Sequence, residues 1–168
     1  MDKDEVIRVF PEIQKIKDES LREKVIAVWL EATGGNMEIV KKVIMPNAQR
    51  KISLADHTRR ITQMAMAIAV VRRNVNMDWI IAGGILHDVG IAAEHKLDGG
   101  ELKKNESLLE HDVGSVLLCS KHGLPKEVIH IVSMHEEEEG HKLEEAIILK
   151  HCAEIENEIA MLEKKRTE

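Results

Sequence analysis

The sequence predicts an all-α fold, a compact single-domain helical bundle. Three observations carry this expectation. The chain has 168 residues, 43% of them hydrophobic and 32% charged, which suits one packed core and is too short for two comfortable ones. Apolar residues recur at helical spacing, and no segment sustains apolar–polar alternation, so no sheet is expected. Glycine and proline fall between the periodic stretches, where they break helices.

The elements follow in order. Ser20 to Glu23 reads as a capping box that opens a helix to about Thr33, with Leu21, Val25, Val28, Trp29 and Ala32 on one face. Gly34-Gly35 stops it. Asn36 caps a short helix to about Met45, and Pro46 begins a loop. Ser53 caps a long helix to about Asn74, with His57, Ile61, Met64, Ile68 and Val71 along one stripe. A further helix over about 77–87 ends at His87-Asp88, and Gly99-Gly100 lies in the loop after it. The next helix, about 105–121, carries His111 near its start. Pro125 occupies the first position of a helix bearing Val128, Ile131, Val132 and His135. The last helix, about 142–164, has a seam of Ile148, Cys152, Ile155, Ile159 and Leu162.

Composition excludes several classes. A net charge of −6 gives no general pull on nucleic acid or anionic lipid, so duplex binding is not expected. The N-terminus is charged from residue 2, unlike a signal peptide. The longest apolar stretches, such as Ala65–Val71, are far short of the ~20 residues that span a bilayer. A cytoplasmic protein is the simplest reading. Cys119 and Cys152 lack CxxC spacing and predict no disulfide framework. Aromatics are confined to Phe10, Trp29 and Trp79, so the core rests on aliphatic residues and eight methionines.

Nine histidines stand against no tyrosine. His57, His87, His111 and His135 recur once per helix, at intervals of 30, 24 and 24 residues. A bundle brings such inward positions together. Several buried imidazoles without partners would be costly, and a shared metal ion relieves that cost. His95, His122 and His141 sit in or beside loops and read as solvated, and His130 lies off its helix stripe. Glu136 to Glu139 reads as a solvated run that is also close enough in sequence to tune a metal site.

The order His57, His87-Asp88, His111, His135 resembles the HD superfamily of metal-dependent phosphohydrolases. SLADHTRRI is similar to the family's first motif, AGGILHDVG to its central one, and HDVGSVLL and VSMHEEE to the histidine motifs of its two-metal members. The likeness spans about residues 50–155, which makes residues 1–45 helices packed on a motif-bearing core within a single domain, 1–168. It implies an HD-type bundle and one or two divalent transition-metal ions, Mn, Fe, Co, Ni or Zn. It further implies hydrolysis of a phosphomonoester or phosphodiester, on a nucleotide or other small phosphorylated metabolite, by metal-activated water. His57, His87, Asp88, His111 and His135 would be ligands, with Asp88 at the catalytic centre. Arg60, one turn from His57, would contact substrate phosphate and act in catalysis, with Lys103 and Lys104 as further phosphate contacts. A homodimer is left open.

The family closes its site with an Asp on the last helix, and residues 143–168 contain none. At about 100° per residue, measured from Ile148, Cys152 falls near +40°, His151 near −60° and Glu154 near −120°. On that reckoning His151 is the expected closing ligand and Glu154 points away. Two other classes remain: a di-iron oxygenase of the same fold, and a catalytically idle module that binds metal or a phosphorylated ligand.

Overall fold

The computed structural model describes residues 2–45 and 51–167, so the loop expected at Pro46 lies outside the described residues. Helix α1 (Lys3–Val9) runs through a 3-10 turn (Pro11–Lys15) into α2 (Glu19–Ala32) and the short α3 (Glu38–Lys42). Then come α4 (Leu54–Ala69), α5 (Met77–Leu86) and α6 (Val89–Ala93). A hairpin of β1 (His95–Asp98) and β2 (Glu101–Lys104) leads to α7 (His111–Lys121), α8 (Lys126–Met134) and α9 (Glu144–Thr167). The fold is mostly helical, as expected for an HD-type bundle. No described helix is long and apolar enough to cross a membrane.

Local chemistry explains the boundaries. Ser53 caps α4 by accepting from the Asp56 amide, and Asn76 caps α5 by accepting from Trp79. The cap of α2 is Asp18, which accepts from Leu21, and not Ser20. Asp18 is itself fixed from outside, because Asp78 accepts from the amides of Lys17 and Asp18 at 2.9 Å each. Helix α4 stops at Ala69, and Val71, expected on its buried stripe, is exposed. Helix α7 begins only at His111, because residues 105–110 are non-helical. Pro125 sits at the cap of α8, just before its first turn.

The hairpin contradicts the expectation of no sheet. Asp98-Gly99-Gly100-Glu101 turns with positive φ at both glycines, +58° and +85°, which is the combination a tight hairpin turn demands. Strands of four residues are too short to show a period, but the turn signal was present in the sequence.

The main core joins α1 and α2 to α5, α6, α7 and α8 around Phe10, Trp29, Ile85 and Leu86, all fully buried. A second cluster packs α4 and α5 on α9 through Ile61, Ile80, Leu149 and Cys152. Arg59 of α4 grips buried Glu12 with two nitrogens through three bonds of 2.9–3.2 Å, and Gln63 donates a further bond at 2.7 Å. The buried face of α9 runs through Ala146, Leu149, Cys152 and Ala153. Ile155, Ile159 and Leu162 of the expected seam are about half-exposed. Cys119 and Cys152 are free and buried, and burial pushes their thiols up to about 12 and about 11, so neither is a nucleophile.

Candidate metal centre

Helix ends assemble the site. His57 lies in the first turn of α4, His87 at the end of α5, Asp88 at the start of α6, His111 at the start of α7 and His135 at the end of α8. Two glycines let these ends meet. A Cβ on Gly84 would lie 2.6 Å from the Thr62 hydroxyl, so α5 and α4 touch nearly backbone to side chain there. A Cβ on Gly90 would lie 2.0 Å from the carbonyl oxygen of His111, so α6 and α7 touch backbone to backbone. The Ser115 hydroxyl locks the second crossing by accepting from the Gly90 amide at 2.8 Å and donating to the His111 carbonyl at 3.1 Å.

At the centre stands Asp88, 5% exposed. Its Oδ2 lies 3.2 Å from His57 Nε2 and 3.1 Å from His87 Nε2. Its Oδ1 lies 3.4 Å from His135 Nε2 and 3.8 Å from His111 Nε2. One carboxylate therefore faces two imidazole pairs, one with each oxygen. His87 donates from Nδ1 to the Gly84 carbonyl at 2.6 Å, and His135 donates from Nδ1 to the Val132 carbonyl at 2.7 Å. A carbonyl only accepts, so each ring is fixed with its proton on Nδ1 when neutral and the Nε2 lone pair directed inward. Both Nε2 atoms are buried with no hydrogen-bond partner. Orphaned imidazole lone pairs around a buried carboxylate fit a divalent ion, and the described residues offer three overlapping donor groups for one. These are His57, His87 and Asp88; Asp88, His111 and Asp112; and Asp112, His135 and Glu136.

Electrostatics follow from that packing. Burial alone would raise the Asp88 carboxyl, but His87, His135 and His57 hold it well below the usual carboxylate range. Burial would lower His135, yet Asp88 outweighs it and raises the imidazole to about 9. The Asp112 side chain raises His111 and is lowered by it in turn. Burial and the Asp112 charge raise Glu136.

A cavity of about 360 Å³ opens onto the cluster. His57, His87, Asp88, His111 and His135 line it together with Glu136, Lys150, Glu154 and Asn157. The remaining expected site residues lie elsewhere. His151 is 60% exposed and pairs with Glu154 at 2.7 Å, outside the donor groups. The cavity wall holds Glu154 instead, because the true buried face of α9 centres on Leu149 and Ala153, about 100° round the helix from the Ile148 reference. Arg60 is half-exposed and pairs with Glu156, a cavity residue, at 3.2 Å. Lys103 and Lys104 sit on β2, paired with Asp98 and Glu94, and neither lines the cavity. Lys150 is the cation that does, buried between Glu138 at 2.9 Å and Glu154 at 3.2 Å.

Asp112 was not expected in the cluster, and Glu136 was expected only as a residue that could tune it. The available signal was a repeat: His87-Asp88, His111-Asp112 and His135-Glu136 are His–acid pairs spaced 24 residues apart. The other histidines stay out of the cluster, but they are held by protein partners and are not simply solvated. His95 bonds the Ile91 carbonyl, His122 bonds Glu31 and His141 bonds the Met134 carbonyl.

Residues 54–158 match the HD domain family. A dihydroneopterin 2′,3′-cyclic phosphate phosphodiesterase of Methanocaldococcus jannaschii is 32% identical over 138 residues, covering 73% of this chain. The chain spans 55% of that relative's length. No solved structure matches the chain significantly.

Proposed function

The chain belongs to the HD-domain family, and from that premise we propose that it is a metal-dependent phosphohydrolase acting on a small, nucleotide-like phosphate ester. The observation that carries this reading is the Asp88 carboxylate, which turns one oxygen to His57 and His87 and the other to His111 and His135. His57, His87 and Asp88 would hold one divalent ion, and Asp88, His111 and His135 a second. A bound divalent ion supplies Lewis acidity, lowering the pKa of a coordinated water towards ~7 and offsetting charge on a phosphoryl group.

The protein's own groups do the rest. The carbonyls of Gly84 and Val132 keep His87 and His135 turned inward, so the ligand set is oriented before substrate arrives. We assign the closing position on α9 to Glu154, which lines the cavity, in place of His151, which does not. Phosphate needs a cation other than the ions, and Lys150 is the one in the wall. Arg60 acts at one remove, by holding Glu156 at the rim. In the reaction water adds at phosphorus, the P–O bond to the alcohol breaks and the departing oxygen takes up a proton. The cavity of about 360 Å³ is of the size that small-molecule ligands occupy.

The relative's 2′,3′-cyclic phosphate sets the first compounds to try. The chain would be loaded in turn with Mn, Fe(II), Co, Ni, Mg and Zn and given 2′,3′-cyclic phosphates of dihydroneopterin and of the common nucleosides, followed by phosphomonoesters. Phosphorus NMR should record ring opening or phosphate release that is lost in Asp88→Ala. Turnover absent under every ion, in protein that demonstrably binds them, would leave a binding module and end the enzymatic reading.

A further inference from the structure

We propose that Asp112 and Glu136 are direct ligands of the second ion, beside Asp88, His111 and His135, and make its site the harder, oxygen-rich one of the pair. This inference rests on the metal-binding reading above and extends it to two residues that the resemblance did not supply.

The geometry comes first. Asp112 Oδ1 lies 3.0 Å from His111 Nε2 and 3.7 Å from His135 Nε2. Asp88 Oδ1 lies 3.8 Å and 3.4 Å from the same two nitrogens. Four contacts of 3.0–3.8 Å thus link the four donor atoms in a closed ring. Ligands placed about 2.0–2.2 Å from a single ion stand about that far apart. The Glu136 carboxylate reaches 3.9 Å from His135 Nε2, and one oxygen of it lies within 4.8 Å of the donor atoms of both Asp112 and His135.

An independent observation concerns where these atoms aim. Asp112 Oδ1 and His135 Nε2 are both buried and have no hydrogen-bond partner, although each has polar neighbours under 4 Å away. The His135 side chain is only 4% exposed. Donors that approach one another without bonding are directed at a common point, not at each other.

Charge separates this position from its neighbour. His57 and His87 stand beside one carboxylate, Asp88, whereas His111 and His135 sit among three, Asp88, Asp112 and Glu136. Three carboxylates in one partly buried corner repel each other, and a dication between them relieves that repulsion. Carboxylate oxygens favour hard ions such as Mn²⁺ over ions that prefer nitrogen or sulfur.

The experiment counts ions and needs no substrate. Apo protein would be titrated with Mn²⁺ under anaerobic conditions, with stoichiometry read by equilibrium dialysis and elemental analysis. Electron paramagnetic resonance would report coupling between neighbouring ions. Wild type should bind two Mn²⁺ per chain with a coupled spectrum. Asp112→Asn and Glu136→Gln should each weaken one ion by about 10- to 100-fold, and the double variant should hold one uncoupled Mn²⁺. Glu136 is largely exposed, so its variant tests the idea without threatening the fold. Two ions bound by the double variant at wild-type affinity would overturn the proposal. So would a wild type that holds a single ion, although the metal-dependent function would survive that result. A wild type that binds no ion overturns both.

Discussion

Asp88 and His87 carry the most testable chemistry of single residues. Removing Asp88 takes away the group that both imidazole pairs face, and it leaves three buried rings and the half-buried His111 without the carboxylate at their centre. Asp88→Ala is expected to abolish metal binding at micromolar concentration and His87→Ala to remove the first ion, as read by elemental analysis of protein dialysed against Mn²⁺ or Zn²⁺. On α9, His151→Ala should leave metal content unchanged, while Glu154→Ala should weaken it by about 10-fold or more, by the same assay. The reverse ranking would mean that α9 is turned from the orientation described. The structure brings together His57, His87, Asp88, His111 and His135, which the sequence marked by one histidine per helix at intervals of 30, 24 and 24 residues and by the His87-Asp88 motif, and it leaves the sixth candidate, His151, outside. Helical angles rank residues only relative to a chosen zero, and Ile148 lies about 100° from Leu149, at the centre of the buried face. No single-sequence pattern distinguishes a stripe that faces the core from one, like Ile155, Ile159 and Leu162, that faces outward.

Between elements, the site depends on how closely helices cross, and Gly90 is the sharpest case. Any Cβ there meets the His111 carbonyl oxygen at 2.0 Å, with the Ser115 amide at 2.9 Å, both backbone atoms that cannot turn aside. Gly90→Ala should push α7 off α6, cost about 3 kcal/mol or more of stability, and lower Tm by several degrees. Because His111 begins α7, the same change should weaken the second ion more than the first, which competitive chelation of the two ions would reveal. Normal metal content with wild-type Tm would show that α6 tolerates the methyl group. This crossing could be read from the sequence only as a glycine two positions after His87-Asp88. The hairpin was missed for a related reason. Its pairing is specified by two glycines at positive φ and by contacts of β1 with α3 and α6, not by any period in its four-residue strands. The amphipathic helices α2, α4 and α8 were legible, and the start of α2 moved to Asp18, whose backbone the distant Asp78 holds.

For the molecule as a whole, the metal centre and the fold are linked, because the ligands belong to α4, α5, α6, α7 and α8 and an ion tightens all of their junctions at once. Stability with and without metal should therefore respond to pH in opposite ways. In metal-free protein, Asp88 has a folded pKa below its ordinary 3.8, so its contribution is complete above that value and fades as pH falls. His135 is raised from 6.5 to about 9, so its contribution is complete below pH 6.5 and is lost as pH rises through about 9. Chelated protein should thus show its highest Tm between about pH 4 and 6.5 and lose stability steadily towards pH 9. An ion needs His135 neutral and must expel that proton, so metal affinity should rise across the same window. Since a ligand that binds only the folded state stabilises it by an amount that grows with affinity, the Tm gap between metal-loaded and chelated protein should widen from pH 6.5 to 9. Differential scanning fluorimetry with Mn²⁺ or with EDTA, at fixed free-ion concentration and half-unit pH steps, measures that gap directly. Parallel curves would mean that ion binding releases no proton from the cluster, and His135 would then not be a ligand. In Asp88→Ala the two curves should coincide at every pH, because the carboxylate that raises His135 and joins both imidazole pairs is gone.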